Sequence, residues 1–162
     1  MRFKLLFLGL TFLAMAAIVS AQTKISGTAQ CKADPSTPIP VGDRPGHMLA
    51  AGKSQCTWSK LEIAGQPAKT GASVYTNEID GDKATGQGYH TGTMANGDTW
   101  TCRFQGSSTS KDGKPVADGG TYTFVSGTGK LKGITGKGTY KGTPNADGSM
   151  TYAVDGEYQI PK

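Results

Sequence analysis

The chain is expected to fold as an all-β domain, an eight-stranded antiparallel up-and-down β-barrel, for three reasons. From residue 22 onward, glycine (23) and threonine (19) supply 42 of 141 residues. Glycine is a poor helix former, and threonine prefers the pleated surface of a sheet. Apolar and polar side chains alternate with period two along most of this region, which marks strands with one wet face. Asn96-Gly97, Asp112-Gly113 and Asp147-Gly148 punctuate the alternating runs. Such pairs favour tight hairpins because they tolerate positive φ. A two-sheet β-sandwich would show the same alternation and is the alternative architecture.

The elements follow in order. Arg2 and Lys4 precede an apolar run from Leu5 to Val19, and Val19-Ser20-Ala21 ends it. A basic start, a short apolar stretch and a small-x-small ending form a secretory leader, too short to serve as a membrane span. The chain therefore divides into a signal peptide over residues 1–21 and a single domain over residues 22–162. The domain is expected to be exported, to the periplasm or the extracellular space. Residues 24–33 set Ile25, Gly27, Ala29, Cys31 and Ala33 against polar neighbours. Residues 34–46 hold Pro35, Pro38, Pro40 and Pro45 and form a surface loop, since proline cannot donate to a ladder. Strands follow over 47–61, 72–79, 83–94, 99–108, 121–125, 136–143 and 150–160. Tight turns between consecutive strands make sequence neighbours antiparallel partners, and eight of them can close into a barrel without edges.

Removal of Arg2 and Lys4 lowers the net charge from +5 to +3, or 15 basic against 12 acidic residues. The basic residues form no block, and Arg44 and Arg103 are far apart in sequence. That pattern supports solubility and argues against nucleic-acid binding. No Cys/His spacing suggests a metal site, and no cofactor motif is present. The glycine-rich stretch 127–138 lacks the Gly-Lys-Ser/Thr ending of a phosphate loop.

Cys31, Cys56 and Cys102 are the cysteines, and export permits disulfides. All three fall on the apolar parity of their strands. Cys31 and Cys56 lie on the first two strands, which are expected neighbours, whereas Cys102 lies about halfway round. A Cys31–Cys56 bridge and a buried Cys102 thiol follow, with Cys56–Cys102 as the competing pairing.

The run GTGKLKGITGKGTYKG over residues 127–142 resembles the GTGxFxGxxGxGxY element of the allene oxide cyclase barrel group, which includes the dirigent proteins. VGDRPGH (41–47), CTW (56–58) and GYHTGTMANGD (88–98) are similar to a small bacterial exported branch of uncharacterised proteins. Leu131 stands where that group more often has an aromatic residue. The resemblance implies an eight-stranded antiparallel barrel with a central cavity. It carries no catalytic residue onto this chain.

Two sets of residues are candidates for function. Trp58, Trp100, Phe104, Tyr122, Phe124, Tyr152 and Tyr158 fall on inward faces, where they either fill the barrel or line an apolar cavity. Asp43, Arg44, His47 and His90 form a candidate polar rim, with Asp43, Arg44 and His47 expected to hold the proline loop. No Gly-x-Ser-x-Gly elbow occurs, and Ser26, Ser54, Ser59 and Ser73 have no histidine in their local pattern. The functional expectation is a small hydrophobic or aromatic ligand held in the barrel. The alternatives are a cofactor-free isomerase or cyclase and a structural envelope-interaction protein.

Overall fold

The computed structural model describes residues 22–161. The leader read from residues 1–21 lies outside the described residues, as does Lys162. The strands are β1 (Thr23–Ala33), β2 (Ile39–Pro40), β3 (His47–Trp58), β4 (Glu62–Ile63), β5 (Gln66–Asp80), β6 (Lys83–Met94), β7 (Thr99–Lys111), β8 (Lys114–Gly127), β9 (Thr135–Pro144) and β10 (Met150–Gln159). Every pairing is antiparallel. β1 lies between β3 and β10, β3 pairs with β5, and each later long strand pairs with the next. The eight long strands thus close into one ring, which excludes the sandwich and leaves those strands without free edges.

Two strands extend beyond their sequence-predicted limits. β5 begins at Gln66 instead of residue 72, and β8 at Lys114 instead of residue 121. Lys114–Gly120 shows no alternation and contains a proline and two glycines, so propensity alone gives no strand there. The turn before it imposes one. Asp112 and Gly113 both take positive φ, 53° and 72°, and form a two-residue loop that sets Lys111 opposite Lys114. At the other two pairs only Gly97 (89°) and Gly148 (80°) are left-handed, and their loops are longer. The proline loop also departs from a pure surface excursion. Ile39 and Pro40 pair with Leu49 and Met48 on the part of β3 that β1 does not reach.

One end of the barrel is closed. Ile63, Leu131, Ile134 and Met94 are at most 2 % exposed there. β4 and the start of β5 form a small hairpin whose turn residue Ala64 donates its backbone N–H to the Tyr158 hydroxyl at 2.9 Å. The glycine-rich segment crosses the same end as a 3-10 turn, Gly129–Leu131, and inserts Leu131 as its plug. An aliphatic side chain does here what the resemblance led one to expect of an aromatic.

Inward aromatic rings sit opposite inward glycines. Tyr75 faces Gly52, Phe104 faces Gly88, Trp100 faces Gly92, Tyr122 faces Gly138, Tyr140 faces Gly120 and Tyr152 faces Gly142. A Cβ at Gly142 would stand 2.7 Å from the Tyr152 ring. The missing side chains let the rings lie along the wall instead of filling the axis. This accounts for much of the glycine content, and it leaves the interior open above the closed end.

Candidate functional site

The interior holds a cavity of about 240 Å³. Six of the seven sequence-predicted aromatics line it: Trp58, Trp100, Phe104, Tyr122, Phe124 and Tyr152. Tyr158 does not. It is buried at the closed end, where its hydroxyl accepts the Ala64 N–H. Tyr75, Tyr140, Ser73, His90 and Asp118 also line the cavity, and none of them belongs to the aromatic set that the sequence predicts there. The Cys31–Cys56 disulfide forms part of the wall, while Cys102 is a free, buried thiol deep in it. Burial pushes the Cys102 pKa up to about 12, which keeps it protonated.

His90 is the centre of the floor. β6 presents it inward between Trp58 and Trp100, with ring centroids 5.7 Å and 6.3 Å away. Its Nδ1 lies 2.9 Å from Ser73 Oγ, and its Nε2 has no hydrogen-bond partner among the described residues. Trp58 Nε1 and Tyr122 Oη are likewise buried without a partner. Burial pushes the His90 pKa down to about 4, so the ring is neutral near pH 7. It also raises the Tyr122 phenol to about 12.

These positions correct one sequence expectation and add to another. His90 does not belong to a rim: it lies inside the barrel and is not joined to Asp43, Arg44 or His47. Ser73 does have a histidine, supplied by the neighbouring strand. The hairpin register of β5 and β6, fixed by Asp80 opposite Lys83, places Ser73 opposite His90. Counting back from the Asp80-Gly81-Asp82 turn would have found the pair. Period-two parity would also have placed His90 on the same face as Met94.

Asp43, Arg44 and His47 do come together, on the outside of the barrel. His47 opens β3 on its outward parity and is buried beneath the loop. Its Nδ1 is 2.6 Å from Asp43 and its Nε2 3.0 Å from Glu78. Arg44 donates to Asp43 at 2.6 Å and to Asp80 at 2.7 Å. The loop is thereby tied to the end of β5. Hydrogen bonds to Asp43 and then Glu78 raise the His47 pKa, while His47 and Arg44 lower those of Asp43 and Asp80 respectively.

At the mouth, the Tyr152 hydroxyl donates to Asp118 at 2.6 Å. Burial raises the Asp118 pKa, partly offset by that hydrogen bond. No group of three or more His, Cys, Asp or Glu side chains that could hold a metal ion occurs among the described residues. No helix among them is long and apolar enough to cross a membrane.

No family model matches the chain, and no curated protein matches it in sequence. Solved structures do match. The pterocarpan synthase dirigent protein GePTS1 superposes with a TM-score of 0.56 at 14% identity, covering 96% of this chain and 100% of that one. The fold is dirigent-like. The dirigent protein PsPTS1, also a pterocarpan synthase, gives a TM-score of 0.49 at 15% identity, covering 88% of this chain and 97% of that one. A protein of unknown function from the DUF3224 family of Shewanella oneidensis MR-1 gives 0.48 at 17% identity, covering 88% of this chain and 100% of that one. At 14% identity the barrel fold of GePTS1 is shared, and the chemistry of the pocket has to be read from this chain's own residues.

Proposed function

We propose that this chain is an exported dirigent-like barrel protein that binds a small aromatic molecule in its cavity. The observation that carries this reading is the set of Trp58 Nε1, His90 Nε2 and Tyr122 Oη, three buried polar atoms without protein partners around an aromatic-lined space. Buried polar groups left unpaired are costly, and a ligand that reaches them removes that cost. The size also fits. A cavity of about 150 Å³ already holds benzene, and this one has room for a substituted ring. The Cys31–Cys56 bridge is compatible with an oxidising compartment, as the leader requires.

Binding has better support than turnover. The Ser73–His90 pair resembles a nucleophile with its base, but the ring has no third group on Nε2 to orient it. A histidine held neutral down to about pH 4 is also a weak base. A purely structural role leaves the open, polar-studded interior without a use.

Trp58 and Trp100 both line the cavity, so intrinsic fluorescence reports occupancy. Titration with small neutral and charged aromatics is expected to give saturable quenching at one site per chain. Replacement of Trp100 by leucine should weaken the site. Failure of every aromatic probe to perturb either tryptophan counts against the proposal. Separation of periplasmic or culture fluid from cytosol tests the export.

A further inference from the structure

Asp118 is the one carboxylate among the cavity-lining residues, and no lysine or arginine lines the cavity with it. The four ion pairs among the described residues all belong to the cluster of Asp43, Arg44, His47, Glu78 and Asp80. Asp118 is half-buried, and its hydrogen-bond donor, the Tyr152 hydroxyl, is neutral. A carboxylate drawn partly out of water without a cation is incompletely compensated.

Aromatic rings surround it. Tyr140 and Tyr152 stand 6.0 Å apart at 61°, and Phe104 meets Tyr140 edge-on at 6.0 Å. Tyr75 lies close enough for the Asp118 charge, with that of Asp34, to raise its phenol beyond the effect of burial. Ring faces attract cations within about 6 Å of their centroids, most strongly where water is excluded. A half-buried negative charge among aromatic rings, with no cation among the cavity-lining residues, suits an ammonium group. The floor adds no opposing charge, because burial keeps His90 neutral.

Resting on the reading that the cavity takes a small aromatic molecule, we propose that this molecule is an arylalkyl amine. Its ammonium is held by Asp118 and the faces of Tyr75, Tyr140 and Tyr152, and its ring rests on the floor of Trp58, His90 and Trp100. Trp58 and Tyr152 pack on the same patch of Ala29, Cys31 and Cys56, so a short alkyl arm along that patch joins the two ends. Carboxylate ligands meet the opposite environment, repelled by Asp118 with nothing to neutralise them.

The test is calorimetric titration of the folded chain at pH 7 and low salt with 2-phenylethylamine, 2-phenylethanol and phenylacetate. The amine is expected to bind about tenfold tighter than the alcohol, and phenylacetate weakest of the three. In Asp118→Asn the amine should fall to the level of the alcohol, while the alcohol keeps its affinity. Equal affinity for amine and alcohol in the unaltered protein overturns the amine assignment and leaves the cavity reading standing. Absence of binding by all three overturns both. The comparison in the unaltered protein decides the matter even where Asp118→Asn fails to fold.

Discussion

The ring of Tyr75 lies across the bare backbone of Gly52, its register partner on β3. A Cβ at Gly52 would stand 2.6 Å from Cε2 and Cζ of that ring. Gly52→Ala therefore forces the phenol away from the wall and into the cavity. Overpacking of this kind costs about 1–3 kcal/mol. Denaturant unfolding should show the loss, and the variant should bind aromatic probes more weakly than the unaltered protein. An unchanged unfolding midpoint would count against the close packing of ring on glycine.

The Cys31–Cys56 bridge closes a 25-residue separation that contains the proline loop. Replacing both cysteines by serine is expected to cost about 2–4 kcal/mol, measured by chemical denaturation of the two forms. Non-reducing peptide mapping should recover a crosslink between these two residues. Cys102, buried and held protonated, should alkylate only under unfolding conditions.

His47 gives the outer cluster a pH signature. Its folded pKa is raised above the unfolded value of about 6.5, so its contribution is complete below that pH and is lost as pH rises through the folded pKa. Asp43 and Asp80 are lowered, so theirs is present above about pH 4 and is lost as pH falls through the folded values. The loop anchor is strongest between these limits. The difference in melting temperature between the unaltered protein and His47→Gln should be largest near pH 5–6 and shrink above neutrality. A difference that grows with rising pH would contradict the two carboxylate contacts.

His90 acts in the opposite sense. Its folded pKa is about 4, so on acidification the unfolded chain takes up a proton before the folded one does. Stability attributable to this ring falls as pH drops from about 6.5 towards 4, by on the order of 3 kcal/mol in total. His90→Phe should flatten that part of the profile. Ser73→Ala leaves Nδ1 of the ring without its partner and should cost about 1–3 kcal/mol at neutral pH.

The barrel was readable because alternation and tight turns carry period and register together. Asp112-Gly113 is the clearest case, since its two left-handed residues start the β7–β8 pairing with Lys111 opposite Lys114, before bulges shift the register further along. The first half of β8 was not readable, because Lys114–Gly120 has neither alternation nor β-branched bulk beyond Val116. It is a strand only because its partner strand holds it. The disulfide followed from parity and strand adjacency, which are local properties. The site is less local. Tyr75, Tyr140 and Asp118 come from β5, β9 and β8, and their convergence depends on the closure of the ring. Residue type groups His90 with the loop residues, whereas its strand parity points inward.

β1 and β10 pair from Thr23 opposite Tyr158 to Cys31 opposite Met150. The beginning of β1 and the end of β10 therefore stand side by side at the closed end, with Asp118 and the open interior at the other. A tether attached at either terminus of the domain, whether a fusion partner, a surface linker or a biosensor support, would hold the molecule by its base with the mouth facing outward. The molecule is thus suited to immobilisation without obstruction of its pocket.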